Sequence, residues 1–295
     1  MTTTSPPAKF AKEVIRQEQY TEAIPTKITL EEASEHNPFH TETMHLHGYE
    51  HLDLVNNCSF SEVIFLLFRG ELPSKAEQQL FDKLLTCLIN LGPRHPATRA
   101  AMNVGIAKTA LQHILPVSLS VASGKYNGCE DVFNAMNFLR KNRNKKPADV
   151  IENAISQGNF DAIENPSIIP GFGSLYGSAD SYAAKLANYL KPYNTQGTYM
   201  QFSLALVEQM KAYDAGWLLS GLTAAVLCDL GFHPRQGHSI YQIAIAPGLA
   251  AHGIEKANRP TTEMPYVDEE NYHIEPQAIC QSSINGVANG GANDY

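Results

Sequence analysis

Ser59-Phe60-Ser61-Glu62-Val63-Ile64-Phe65-Leu66-Leu67-Phe68-Arg69-Gly70-Glu71-Leu72-Pro73 is the stretch whose reading decides the fold. Ser59 with Glu62 three residues later is a capping box. The serine oxygen accepts from the Glu62 amide and the carboxylate accepts from the Ser59 amide, so two orphan donors at a helix start are satisfied. The apolar run Val63 to Phe68 propagates the helix, and Gly70 can end it. Ser74 and Glu77 repeat the device directly after Pro73. In that second helix Leu80, Phe81, Leu84, Leu85, Leu88 and Ile89 recur at spacings of one, three and four, giving one apolar face that ends near Gly92-Pro93.

Working outward, Ala97 to Ala122 is weakly charged and interrupted by Pro116, and reads as one or two core helices. A helix from about Asn127 ends in the basic block Arg140-Lys141-Asn142-Arg143-Asn144-Lys145-Lys146. Those cations suit a helix C-terminus, whose dipole favours them, and equally suit a phosphate or other anion. Asn165-Pro166 and Pro170-Gly171-Phe172-Gly173 are loop signals, and helices are predicted at about 179–190, 197–213 and 215–230. A last helix runs from His238 to about Lys256, kinked at Pro247. Glu35 to Tyr49 reads as irregular. No sustained period-two segment, internal repeat or nucleotide-binding glycine fingerprint is present, so the predicted architecture is all-α.

The 295 residues, 43% of them hydrophobic, suffice for two domains or one large one with a substantial core. A net charge of −8 and a pI near 5.8 supply no cationic face for a phosphate backbone or an anionic bilayer. Neither nucleic acid nor a membrane is therefore expected as a partner. Cys58, Cys87, Cys129, Cys228 and Cys280 stand apart, odd in number and without C-x-x-C spacing. That pattern implies free thiols, a reducing cytoplasmic setting and no structural zinc. Residues 1–24 read as a loose tail, because Met1 to Lys12 is polar, proline-bearing and lacks the apolar stretch of a signal peptide. The uncharged runs Ala215 to Cys228 and Gln236 to Ile254 read as buried helices. The first is too short to span a bilayer and the second contains Gln, His, Ser and Pro247.

Several groups invite chemistry. His36, His40, His45, His47 and His51 have spacings that can converge on zinc, nickel or copper, but no nearby cysteine completes the set, and a polar histidine-rich loop is the reading preferred. His252, beside Gly248 and Ala251, reads as a hydrogen-bonded core histidine. Cys129 follows a glycine at a helix start, where the dipole can lower a thiol pKa, or it is simply a small packed residue. Ser174 lies in Gly171-Phe172-Gly173-Ser174, which is not a nucleophile elbow.

The order of motifs is more informative than any single one. His47-Gly48-Tyr49-Glu50-His51-Leu52-Asp53-Leu54 followed by Ser59 to Pro73 resembles the N-terminal signature of the citrate synthase and citryl-CoA lyase superfamily. Gly92-Pro93-Arg94-His95-Pro96, Gly124-Lys125-Tyr126-Asn127-Gly128, Pro170-Gly171-Phe172-Gly173 and Leu227-Cys228-Asp229-Leu230-Gly231-Phe232 follow in that family's order, and Pro247 to His252 with Glu255 completes the series. The resemblance covers roughly residues 25–260. It implies a large helical domain built from residues 25–126 and 228–295, the latter including a C-terminal tail, with a smaller helical domain inserted at 127–227. It also implies a homodimer in which an acyl-CoA and a carboxylate meet in an interdomain cleft, with no covalently bound cofactor. The implied chemistry is aldol- or Claisen-like. A carboxylate removes an α proton from a coenzyme A thioester, imidazoles stabilise the enolate and the keto oxygen, and arginines hold the carboxylates.

Residue by residue, this chain departs from that pattern. The position of the histidine preceding Gly-Pro is Leu91, that of the histidine before the helix-start glycine is Asn127, and that of the Gly-Phe-Gly-His histidine is Ser174. The aspartate of the Asn-Val-Asp-Gly pattern falls on Ser220, and the arginine of the Arg-Thr-x-Gly pattern on Ile245. A general acid or base is worth about 10²–10⁴-fold in rate, so losing several together implies that ordinary citrate formation is absent. Leu91 and Ile245 place apolar groups where a dianion would have to be desolvated.

Three readings follow. One is a pseudoenzyme dimer that binds an acyl-CoA or carboxylate. A second is a repurposed acyltransferase or lyase acting on a coenzyme A thioester with other groups, for which the candidate cleft residues are Arg94, His95, Asp214, His233, Arg235 and His238. Arg94 can bind carboxylate or phosphate, and His233 to His238 reads as an interhelical loop of the kind that often carries function. The third is a metal-binding module built on the N-terminal histidines.

Overall fold

The histidine-rich segment is a sheet, not an irregular loop. In the computed structural model, which describes residues 26–157, 167–263 and 270, β1 (Thr29–Ser34) pairs antiparallel with β2 (Asn37–Leu46), and β3 (Tyr49–Glu50) adds a third strand. Polar cross-strand pairs hold it. Thr41 donates to Glu31, and Thr43 Oγ1 donates to Glu32 at 2.7 Å. Most of both faces is exposed, so the sequence carries no apolar alternation to betray the strands. His47 and Gly48, at φ 47° and 89°, turn the chain from β2 into β3.

Helices follow as the capping residues dictate. α1 (His51–Asn57) precedes α2 (Phe60–Arg69) and α3 (Lys75–Leu88), and both capping boxes form. Gly70, at φ 78°, ends α2. The stretch predicted as one or two core helices is two, α4 (Pro96–Ile106) and α5 (Ile114–Ala122). The basic block closes α6 (Cys129–Asn142), and α7 (Pro147–Ser156), unexpected from sequence, starts with proline at its first position. Then come β4 (Ser167–Ile169), β5 (Phe172–Gly173), α8 (Ser181–Leu190), α9 (Thr198–Met210), β6 (Gly216–Trp217), α10 (Leu219–Asp229) and α11 (Pro234–Ala257).

Among the described residues there are eleven α-helices and two three-stranded sheets, β1-β2-β3 and β4-β5-β6. The all-α reading holds, with both small sheets as corrections. α11 starts four residues earlier than expected, because the His233 side chain accepts from the Arg235 amide while Gln236 closes the box onto the His233 amide. Pro247 lies inside it. No helix of the described residues is long and apolar enough to cross a membrane. The tail at 1–24, the loop signal Asn165-Pro166 and Cys280 lie outside the described residues.

α10 is the centre. Every residue from Ser220 to Cys228 is buried, and the helix packs on α6, α9 and α11. α11 in turn packs against α4, α5 and α6. Its crossing with α4 is tight, since a Cβ on Gly105 would stand 2.1 Å from the Gly253 carbonyl oxygen. Phe65 meets Phe81 and Phe232 edge to face, and the three rings, with centroids 5.0 to 5.7 Å apart, join α2 and α3 to the turn before α11. α6 and α10 run parallel. Asn127 and Ser220 meet at their starts, and the Cys228 thiol near the end of α10 lies 3.8 Å from the carbonyl oxygen of Met136, midway along α6.

Candidate functional site

Where α6 and α10 begin, four residues interlock. Asn127 has left-handed backbone, φ 50°. Its side-chain oxygen accepts from the Ser220 amide at 3.4 Å, capping α10 from outside the helix. Its own amide donates to Asp131 Oδ2 at 3.1 Å. Its carbonyl accepts from the Tyr241 hydroxyl at 3.4 Å and from His95 Nε2 at 3.3 Å. Ser220 Oγ donates to Asp131 Oδ2 at 2.5 Å, and the Gly171 amide donates to Asp131 Oδ1 at 2.9 Å. The carboxylate thus ties α6, α10 and the Pro170-Gly171 turn together.

The electrostatics follow from burial. Asp131 is only 3% exposed. Burial pushes its carboxyl above the usual aspartate value, and its bonds from Ser220, Asn127 and Gly171 only partly oppose that. His95 Nδ1 accepts from the Ala97 amide at 3.1 Å, so that nitrogen carries no proton and Nε2 must donate to Asn127. Burial lowers its pKa, which keeps the ring neutral. Both imidazole nitrogens, both Asp131 oxygens and the Ser220 proton are therefore occupied by structural bonds.

In front of this network opens a cavity of about 490 Å³, whose walls include Leu91, Arg94, His95, Asn127, Tyr176 and Leu218. That volume suits a small-molecule site, roughly 300–1,000 Å³. Asp180 also lines it and caps α8, accepting from the Tyr182 and Ala183 amides at 2.8 and 3.0 Å. Among the described residues, Arg94 is the one arginine or lysine of the lining. Its guanidinium and the Asn127 side-chain amide leave the cavity with hydrogen-bond donors beside apolar walls, a surface for an anionic group attached to an apolar one.

Of the residues singled out in sequence, Leu91, Arg94, His95 and Asn127 come together here, with Ser220 directly behind them. Ser174 is buried, at 3% exposure, just before Leu175 and Tyr176 of the wall. Ile245 is fully buried in the core. Four candidates do not line the cavity, a correction to their expected place. Asp214 is exposed at φ 48° after the short turn Lys211–Tyr213. His233, Arg235 and His238 form the first turns of α11, where His233 is a cap rather than a loop ligand. Cys129 is no activated thiol, because burial pushes its pKa up to about 11. His252 is hydrogen-bonded as expected, with Nε2 3.2 Å from Asn90 Oδ1, but it is half-buried and not in the core. No three metal-ligating side chains cluster among the described residues. Asp131 is not marked by the sequence reading, because an acid in the first turn of α6 is also what the helix dipole favours, although it falls on the buried face with Val132, Ala135 and Met136.

Neither a protein-family model nor a curated protein matches this sequence. Solved structures do. Citryl-CoA lyase from Hydrogenobacter thermophilus is 24% identical over 86% of this chain and 96% of its own, with a TM-score of 0.68. This chain has a citrate synthase-like fold. ATP citrate lyase from Methanothrix soehngenii, solved with citrate and coenzyme A, is 14% identical over 93% of this chain and 48% of its own, with a TM-score of 0.65. Citrate synthase from Thermoplasma acidophilum, solved with carboxymethyl coenzyme A and oxaloacetate, is 16% identical over 76% of this chain and 57% of its own, with a TM-score of 0.54. Within the citrate synthase-like fold, the starts of α6 and α10 are thus the place where this chain's network and its cavity coincide.

Proposed function

We propose that this chain is a member of the citrate synthase and citryl-CoA lyase superfamily that binds an acyl-CoA thioester or a related carboxylate in the Leu91–Asn127 cavity and does not form citrate. One observation carries the reading. His95 in the cavity wall, and Asp131 and Ser220 behind it, are all held in structural hydrogen bonds, and Asp180 of the wall is engaged as the cap of α8. Enolising a thioester needs a positioned base and a donor at the developing oxyanion. A neutral imidazole with both nitrogens engaged supplies neither without giving up its bond to Asn127 or its cap on α4. Leu91 makes the wall apolar where the family resemblance places a carboxylate-binding histidine, which favours a thioester acyl chain over a dianion.

The protein acts as a homodimer in this reading. Val117 and Val121 of α5 and Ile243 of α11 are 41%, 42% and 37% exposed, and Ser123 Oγ lies 3.4 Å from Gln242 Nε2, so these side chains belong to one neighbourhood. A shared apolar surface of this kind is what a second copy covers.

A thermal-unfolding screen of acyl-CoAs against di- and tricarboxylates tests the ligand. At 100 times its dissociation constant a true ligand stabilises by about 2.7 kcal/mol. The expected result is stabilisation by acyl-CoAs, lost in Arg94→Ala, with oxaloacetate inactive. Stabilisation by oxaloacetate alone, or by nothing in the set, would contradict the proposal.

A further inference from the structure

The largest charged feature not involved in that cavity is the basic end of α6. α6 and α10 start at the cavity floor and finish together at the opposite end, where Arg140 and Arg143 share a second cavity with Cys228 and Asp229. α3 and α8 pack against each other and connect the same two places. The end of α3 and the start of α8 line the first cavity, while the start of α3 and the turn after α8 line the second. The second cavity holds about 690 Å³. Its walls come from four segments distant in sequence: the start of α3, the end of α6, the turn 193–199 and the end of α10.

The formal charges of this lining balance, Arg140 and Arg143 against Glu77 and Asp229, but their engagement does not. Both carboxylates of the lining are already occupied. Asp229 accepts from the Tyr199 amide at 2.8 Å, the Met200 amide at 2.9 Å and the Asn194 side chain at 2.8 Å, which caps α9. Glu77 is held by the Ser74 amide at 2.8 Å and the Ser74 hydroxyl at 2.6 Å in its capping box. The guanidiniums are not so matched. Among the described residues neither Arg140 nor Arg143 is within ion-pair distance of a carboxylate. Arg143 is nevertheless oriented, with its guanidinium carbon 5.1 Å from the Tyr199 ring centroid and one nitrogen donating to the Tyr199 hydroxyl at 3.0 Å. A planar fork held on an aromatic face loses little freedom on binding a tetrahedral or planar oxyanion. The C-terminal dipole of α6 accounts for cations at this position, but not for a cavity in front of two that form no ion pair among the described residues.

We infer that this second cavity is a binding site for a small phosphate ester, with Arg140 and Arg143 on the phosphate and the polar turn 193–199 on the body of the ligand. Its size is well beyond a bare phosphate ion and within the range of a metabolite, roughly 300–1,000 Å³. Because it lies at the other end of the α3/α8 seam, the site is independent of whether the first cavity takes a thioester.

Calorimetric titration of the full-length protein at low ionic strength tests it, with AMP, ribose 5-phosphate and inorganic phosphate as probes. AMP and ribose 5-phosphate are expected to bind more tightly than inorganic phosphate. Arg140→Gln and Arg143→Gln should each weaken AMP about tenfold, equivalent to about 1.4 kcal/mol, and the double variant should abolish binding. Both arginines are exposed, so an unchanged melting temperature of the unliganded variants is the expected control. Arg99→Gln, which removes one positive charge from α4, should leave AMP binding as it was. Absence of binding by every probe, an equal affinity for all three, or unchanged AMP binding in the double variant would each overturn the inference. So would a loss in Arg94→Gln as large as that in the double variant, because the phosphate would then lie in the first cavity.

Discussion

Asn127 illustrates how one residue can close a site. Its left-handed backbone turns its amide toward Asp131 while its side chain caps α10 and its carbonyl takes the protons of Tyr241 and His95. Such a residue cannot be released without freeing several buried groups at once. The same network explains why an aspartate cannot simply be returned to position 220. Ser220 Oγ is 2.5 Å from Asp131 Oδ2, and two carboxylates so close cannot both ionise. Ser220→Asp is expected to cost about 3 kcal/mol or more in a denaturant melt, and Asp131→Asn in the same chain should recover much of it. An additive loss in the double variant would contradict the network. His95 adds a pH dependence. Its pKa is lower folded than unfolded, so its contribution is fully present above about 6.5 and is lost as pH falls below that value. Between pH 7 and pH 5 the wild-type protein should lose more stability than His95→Gln. Parallel pH profiles for the two would contradict the bonding assigned to the ring. Leu91, Arg94, His95 and Asn127 were legible as a group because each stands in a motif of the resemblance. Asp131 was not, since a first-turn acid is also what any helix dipole favours.

Elements with local punctuation were readable directly. The Ser59–Glu62 and Ser74–Glu77 boxes and Gly70 specify α2 and α3 by bonds made within a few residues, and they form as written. The two small sheets were illegible for opposite reasons. β1-β2-β3 is too exposed to show an apolar alternation. β4-β5-β6 has strands of two or three residues, shorter than any periodicity. The sequence pattern starts α11 four residues late because histidine is a rare helix cap, and His233 reads there as a loop residue. What joins the second sheet to the site is a backbone approach that sequence does not reveal. A Cβ on Gly221 would stand 2.0 Å from the Gly171 carbonyl oxygen. Backbone cannot retreat as a flexible side chain can, so Gly221→Ala should destabilise by about 3 kcal/mol and lower the affinity for any ligand of the Leu91 cavity. A melting temperature equal to the wild type would show that the turn and α10 are not packed as described.

Across the whole molecule, two helices that start beside one cavity end beside another; Leu91, Arg94, His95 and Asn127 of the motifs line the first, and no motif points to the second. The basic block was visible in sequence. Its meaning depended on where α3, α8 and α9 bring their ends, which is a matter of tertiary packing. The α5/α11 surface carries the expectation for assembly. Val121→Glu with Ile243→Glu should convert a dimer into a monomer in light scattering, and a wild-type monomer at micromolar concentration would refute the homodimer. A citrate synthase-like protein that holds a thioester without enolising it leaves the acetyl methyl protons of its ligand in place. Proton NMR of acetyl-CoA in deuterated buffer with this protein tests it most directly. The expected result is saturation transfer from protein to the acetyl group, with the methyl signal otherwise undiminished over hours. A methyl signal that decays by deuterium exchange in proportion to protein, and stops decaying in Asp131→Asn, would contradict it.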